Sequence, residues 1–488
     1  MAANIERLDA QRRATWLLVA VAAVAAAVQL TLGPLRLDYG WDETVYVSQV
    51  ARHVPAAFFS APRARGLTML VAPVAMLTSE PVTVRLFLIA VSAIGLVLSF
   101  RVWVPVLGSR AVVIAALLFA SLWQAQVYGS EVYPNYWIAL LAVAAVGWAA
   151  RAESAGRVAL AWSAACLVGV TLLRPGDAAW LWLALVVAGW RHAPWRATRL
   201  ALTSSIALLI GVVPWVVEAE VRFGGVSHRL AKSSATEGGL FPHLGFLYEV
   251  RAAYGPLLCR PCTSAAHPLV LSMWWVVAGA LACWALWVNR HRPVFPGLTL
   301  SVAAAAAMAA PYMLLVGYSA PRFLLPAYGL GSLAVGHALV GFVSPDGRRR
   351  RLRLAGVAVA LLGFATAEAA ATHGISTFEN ARRDSYRLAA AALHAHGVTA
   401  PCLVVGRQSP PIGFEAGCAS EGRAPVLTDP GDPFRRALAG SHVVAVLVEP
   451  GQPTPSYVAG WQRADVELEG TSMALYVHHV KRRCNDAC

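Results

Sequence analysis

Eleven apolar runs, each near the length that crosses a bilayer, constrain this chain more than any motif does. They cover 14–33, 82–104, 111–127, 135–150, 158–173, 177–190, 200–218, 268–289, 297–316, 322–343 and 354–372. A spanning helix needs about 20 mainly apolar residues, because its backbone polar groups must all be satisfied internally. The run 66–78 (GLTMLVAPVAML) is shorter and contains Pro73, so it is expected to dip into the interface without crossing. Only 14% of the residues are charged, against about 25% in soluble proteins. The expected fold class is therefore a polytopic α-helical membrane protein with about 11 transmembrane helices. The N-terminal run lacks a small-residue cleavage site and reads as a retained helix.

Arginine placement orients the spans. Alternate loops carry Arg7, Arg12 and Arg13; Arg101 and Arg110; Arg151 and Arg157; Arg191, Arg196 and Arg199; Arg290 and Arg292; and Arg348 to Arg351 with Arg353. The opposite loops carry almost none, Arg174 and Arg322 apart. Lys/Arg excess marks the cytoplasmic side. The N-terminus is then cytoplasmic and, after eleven crossings, the C-terminus extracytoplasmic, in a multi-pass protein of the cell (plasma) membrane. The net charge of +14 resides in these loops, so no nucleic-acid partner is expected.

Three segments fall outside: 34–81, 219–267 and a tail, 373–488. The division is a transmembrane module over 1–372 and a small α/β domain over 373–488. In the tail, 385–396 reads as a helix, 402–406 and 442–448 as buried strands, and 465–480 as a hairpin turning near Gly470. Six cysteines lie on this outer side, where disulfides persist. The sequence-adjacent pairs are Cys259–Cys262, Cys402–Cys418 and Cys484–Cys488, although six cysteines allow fifteen connectivities. Cys259 and Cys262 with His267 would also suit a zinc site. Cys166 and Cys283 fall within spans and read as buried thiols.

Carboxylates gather where the first span ends, in LDYGWDETVYVSQVARHV. From Asp42 onward the stretch reads as an interfacial amphipathic helix, with Val45, Tyr46, Val50 and Val54 apolar. Asp42 would cap it. Glu131 lies in the short outer loop QAQVYGSEVYPNYW and cannot stray from the membrane surface. Two acids from separate loops suit proton abstraction from a hydroxyl, or a divalent cation. Metal dependence stays open, since no dedicated ligand cluster stands out. Arg63, Arg65, Arg174 and Arg322 stand at the same level; each suits either snorkelling to lipid headgroups or, together, a phosphate.

In this order, five stretches resemble the GT-C glycosyltransferases, a superfamily that includes protein O-mannosyltransferases and lipid A aminoarabinose transferases. DYGWDETVYVSQVARH is similar to the acidic first-loop motif; PRARGLTMLVAPVAML with VRLFLIAVSAIGLVLSF to the segment after it. YGSEVYPNYWIALLAVAAVGW resembles the second-loop acid and its span, GVTLLRPGD the Arg-bearing outer turn, and APRFLLPAYGLGSLA the Arg-aromatic-Leu-Leu-Pro signature. The likeness covers roughly 10–340.

The resemblance implies a polyprenyl-phosphate-linked sugar donor in the lipid bilayer, an acceptor hydroxyl arriving from outside, and inversion at the anomeric carbon. It implies Asp42 as base, Glu131 as the second-loop acid and Arg322 at the lipid-phosphate end. Glu43, Tyr46, Arg63, Arg65 and Arg174 are the further substrate-binding candidates. Two departures are visible. Val132 and Tyr133 follow the second-loop acid where the family often has Arg. Pro62-Arg63-Ala64-Arg65-Gly66 replaces a His-Pro-Pro or Lys-Pro-Pro segment, with Arg63 or Arg65 as substitutes. The acceptor could be a protein, lipid or glycan. The competing reading is a transporter or flippase of lipid-linked sugars, which would place polar sites near the bilayer midplane between inverted repeats; here the acids cluster at one rim.

Overall fold

The structure is a computed structural model that describes residues 2–190, 194–260, 262–263, 267–344, 348–421, 431–439 and 442–479. Cys484 and Cys488, and Arg191 of the topology argument, lie outside the described residues. The chain is a multi-pass membrane protein of mostly helical build with a small C-terminal sheet domain. It forms two compact units. One comprises Met1–Gly33, Ser60–Leu67 and Leu88–Ile375; the other Pro34–Phe59, Thr68–Phe87 and the chain from Ser376 onward.

Among the described residues, eight helices are long and apolar enough to cross a membrane: Asp9–Thr31, Pro81–Leu107, Ala152–Leu173, Thr198–Phe223, Leu269–Asn289, Phe295–Leu314, Leu325–Val343 and Arg349–Ala395. Three expected runs are the shorter apolar helices Ser109–Ser121, Pro134–Ala150 and Pro175–Val187. Their environments differ as their sequences require. Leu209, Ile210, Val213 and Val217 on Thr198–Phe223 are each more than half exposed, as a lipid-facing stripe must be. Pro134–Ala150 is apolar on all sides and buried on nearly all of them. It packs against Ala152–Leu173 and Leu325–Val343. A Cβ at Gly147 would come within 2.6 Å of the Trp103 indole nitrogen, which donates to the Val143 carbonyl at 2.9 Å.

Several expectations change. The run 111–127 breaks at Leu122, whose ψ of 131° leaves helical space, and resumes as Trp123–Tyr128. No break falls near 372: one helix runs Arg348–Ala395, and the expected helix at 385–396 is its last turns. The span expected from 322 begins as helix only at Leu325. Cys166 is half-buried and Cys283 exposed, so neither is a fully buried thiol.

In the second unit, β1 (Cys402–Gly406), β2 (Ala419–Glu421), β3 (Val443–Val448), β4 (Gln462–Leu468) and β5 (Thr471–His478) form one sheet in the order β2-β1-β3-β5-β4. β1 pairs in parallel with β2 and β3, and β5 is antiparallel to β3 and β4. Side chains alternate between two cores. Val404, Ala445 and Leu447 join Tyr386, Ala389, Ala390 and Leu393 of the long helix; Leu403, Val405, Val444 and Val446 face Phe434 instead. A central strand buried on both faces reads as an unbroken apolar run, which is why β1 and β3 were legible. The hairpin turns at Glu469-Gly470, where both φ values are positive (52° and 72°), as a two-residue turn between twisted strands requires. A disulfide joins Cys402 to Cys418, and another joins Cys259 to Cys262.

Candidate active site

The acidic motif belongs to the second unit. Its helix is short, Trp41–Val47, and stops well before Val54. The cap residue is Gly40, not Asp42; the Gly40 N–H donates to the Glu43 carboxylate at 3.0 Å. Asp42, in the first turn, is half-buried. The adjacent acids therefore sit in different surroundings, as their roughly 100° angular separation on a helix demands.

Glu43 is fully buried between two arginines. Arg85 donates from Nη1 to Oε1 at 3.0 Å and from Nη2 to Oε2 at 3.1 Å. Arg383 donates from Nη1 to Oε2 at 2.7 Å. Both also bind backbone: Arg85 reaches the Leu37 carbonyl at 3.2 Å, and Arg383 the Asp38 carbonyl at 3.0 Å. Glu43 is thus enclosed by protein groups, and Tyr46 is buried against Phe59 at 5.9 Å. Both side chains of these expected substrate contacts pack within the loop that carries Asp42.

A second acidic patch flanks the motif. Arg387 pairs with Asp38 at 2.9 Å. Burial pushes the Asp38 carboxyl up, opposed by the positive charge of Arg387 and reinforced by Asp384. Burial, then the charge of Asp38, pushes Glu415 up to about 7. Tyr39 packs edge-on against Phe414 at 5.5 Å.

The remaining candidates belong to the first unit. Glu131 is fully buried in the turn between Trp123–Tyr128 and Pro134–Ala150. The Arg322 guanidinium lies over Tyr133 at 4.8 Å and Tyr128 at 5.9 Å, the two rings flanking Glu131 in sequence, and donates to the Leu257 carbonyl at 3.1 Å. Arg174 shares a ring with Arg322: the two lie 5.4 Å and 5.5 Å from Phe323. Arg174 also lies 4.0 Å from Asp177, whose carboxylate accepts from the Tyr312 hydroxyl at 2.6 Å. The structure thus brings Arg174 and Arg322 to one ring, Phe323, with Arg322 over the two tyrosines that flank Glu131 in sequence and Arg174 also 4.0 Å from Glu237.

Arg63 and Arg65 also have protein partners. Arg65 donates to Glu218 at 2.6 Å and 2.8 Å, and Arg63 to Ser60 at 3.0 Å. Fully buried Arg229 joins the Glu218 cluster at 3.0 Å and binds the carbonyls of Ala61, Arg63 and Trp215. Arg65 therefore already answers a carboxylate inside the protein. Among the described residues, no three His, Cys, Asp or Glu gather as a metal-binding group, and the disulfide takes Cys259 and Cys262 out of the zinc arrangement with His267.

Sequence reasoning missed Arg85, Arg383, Glu218 and Arg229. Arg85 carried a signal, being a lone cation in an apolar run (PVTVRLFLIA); Arg383 carried none within FENARRDSYR. One acid also sits inside the expected run 354–372: buried Glu368 accepts from the Trp123 backbone N–H at 2.8 Å and the Tyr254 hydroxyl at 2.5 Å. Burial pushes Glu249, in the helix Phe246–Ala252, up to about 8.

This arrangement sits on a known architecture: the fold is that of the GT-C glycosyltransferases. Its structure is similar to that of ArnT from Cupriavidus metallidurans bound to undecaprenyl phosphate, with a TM-score of 0.63 at 14% identity over 94% of this chain and 97% of that one. It also resembles the Archaeoglobus fulgidus oligosaccharyltransferase tethered with an acceptor peptide, with a TM-score of 0.53 at 14% identity over 91% of this chain and 70% of that one. The mycobacterial arabinofuranosyltransferase AftD aligns with a TM-score of 0.50 at 14% identity over 95% of this chain and 40% of its own. No family model matches the sequence, and no curated protein does.

Proposed function

We propose that this chain is a membrane glycosyltransferase that moves a sugar from a polyprenyl-phosphate donor to an acceptor hydroxyl on the outer face of the membrane, with inversion. The observation that carries the reading is the near-complete structural alignment with ArnT, a protein whose structure holds undecaprenyl phosphate. The chemistry of the residues supports it. A polyprenyl phosphate stays in the bilayer, so its sugar is presented at the rim. Arg174 and Arg322, sharing Phe323, supply two cations for one phosphate. The aromatic wall around Arg322 limits its side-chain freedom before the ligand arrives.

In this reading Asp42 is the general base. Its carboxylate takes the hydroxyl proton as the acceptor oxygen bonds to the anomeric carbon. The bond from that carbon to the phosphate oxygen breaks, and its electron pair leaves with polyprenyl phosphate. Glu131 orients the acceptor. Arg174 and Arg322 stabilise the charge on the departing phosphate, and such stabilisation is often the largest single contribution to a rate. Glu43 and Tyr46 are positioning residues. The N-terminus is cytoplasmic and the C-terminal domain extracytoplasmic, in the plasma membrane.

The test is turnover by purified protein in lipid nanodiscs carrying a polyprenyl-phosphate sugar and an acceptor. Release of free polyprenyl phosphate that depends on the acceptor is expected. A donor that crosses the bilayer or stays bound, and remains intact, would overturn the reading in favour of a flippase.

A further inference from the structure

We infer that the C-terminal segment supplies a positioning residue, Arg383, which fixes the acidic helix and so sets where Asp42 stands; this rests on the assignment of Asp42 as base. The helix Trp41–Val47 is too short to hold itself, since isolated helices below about 12 residues are marginal in water. Its cap is a glycine, with no side chain to stabilise the first turn. What fixes that turn is Glu43, which accepts the Gly40 N–H. Glu43 in turn is fixed by Arg85 and Arg383.

Arg383 contributes more than a charge. Through Nη1 it grips the Asp38 carbonyl at 3.0 Å and Glu43 at 2.7 Å, bonding to chain on both sides of Gly40. Its Nε lies 3.4 Å from Glu379, one turn earlier on the same helix, which sets the plane of the fork. Gly40 completes the fit: a Cβ there would lie 3.2 Å from the guanidinium carbon of Arg383. A lysine offers a single ammonium and cannot reproduce this planar fork. A residue near the end of the long helix, 340 positions from Glu43, is thus part of the frame for the proposed base. That gives the C-terminal segment a part in framing the proposed base.

The experiment uses full-length protein carrying Arg383→Lys, Arg383→Met, Gly40→Ala or Asp42→Asn. Two readouts are taken: hydrogen–deuterium exchange of peptides covering 37–47, and kcat and KM for a polyprenyl-phosphate sugar. Misplacement of a reacting group by about 1 Å costs on the order of 100-fold. Arg383→Lys is expected to lower kcat by about 10–100-fold with donor KM within about twofold, and to speed exchange over 37–47 at least about tenfold. Gly40→Ala is expected to act in the same sense but more weakly. Asp42→Asn is expected to lower kcat by at least about 100-fold while 37–47 stays protected. Unchanged protection in both Arg383 variants overturns the inference alone, as does a rise in donor KM at constant kcat. Normal turnover by Asp42→Asn overturns the base assignment, and with it the catalytic sense of the anchor; the exchange data then still report whether Arg383 holds the loop.

Discussion

Glu43 and Asp42 are adjacent carboxylates, and the structure predicts that neutralising them costs very different amounts of stability. Glu43→Gln keeps shape and one acceptor oxygen but removes the charge that faces Arg85 at 3.0 Å and Arg383 at 2.7 Å. All three side chains are essentially inaccessible to water, so no solvent compensates the two guanidinium groups. Removing one partner of such a buried pair costs about 3–5 kcal/mol. Against a typical stability of about 5–15 kcal/mol, that is a large fraction. At about 2–4 °C per kcal/mol for a unit of 150–250 residues, the midpoint should fall by about 6–20 °C. Asp42 is half-buried at the same helix start, so Asp42→Asn should cost about 1 kcal/mol or less. Thermal unfolding in detergent, followed by tryptophan fluorescence, measures both. Arg383→Met combined with Glu43→Gln should be less destabilising than the sum of the two, because the residues act as one unit. Equal midpoints for Glu43→Gln and wild type, or strict additivity in the double variant, would refute the buried network as the anchor of this loop.

Two further outcomes follow from the first unit. Glu249 is pushed up to about 8 by burial, so the folded protein holds its proton where the unfolded chain, near 4.5, has lost it. Folding then binds a proton between about pH 4.5 and 8, and stability falls as pH rises through that window; Glu249→Gln should flatten this slope in pH-dependent melting, and an unaltered slope would contradict the assignment. Arg322→Ala should weaken binding of polyprenyl phosphate at least about tenfold, since a charge-assisted bond contributes about 1.5–3 kcal/mol. Unchanged affinity in a nanodisc binding assay would return Arg322 to a headgroup-facing role.

Much of this architecture was legible because lipid imposes simple rules. Apolar runs near spanning length located most of the long helices, and unbroken apolar runs located β1 and β3. The breaks were not legible. Leu122 interrupts an apolar run without Gly or Pro, and the long helix runs on through 372 and past Gly374, a residue that often ends helices, with no Pro to break it. At the site, the acids and Arg322 stood out as charges in greasy surroundings. The pairing of Glu43 did not, because one of its partners lies 340 positions away, and single-sequence periodicity carries no information about such pairings. For the same reason the burial of Glu43 between Arg85 and Arg383 could not be foreseen.

The account's central claim is that the carboxylate of Asp42 accepts the acceptor's proton, and the rate of sugar transfer by Asp42→Asn tests it most directly. With donor saturating and folding verified by melting, the account predicts a loss of at least about 100-fold in kcat and donor affinity within about twofold of wild type. Turnover within a few fold of wild type would contradict it.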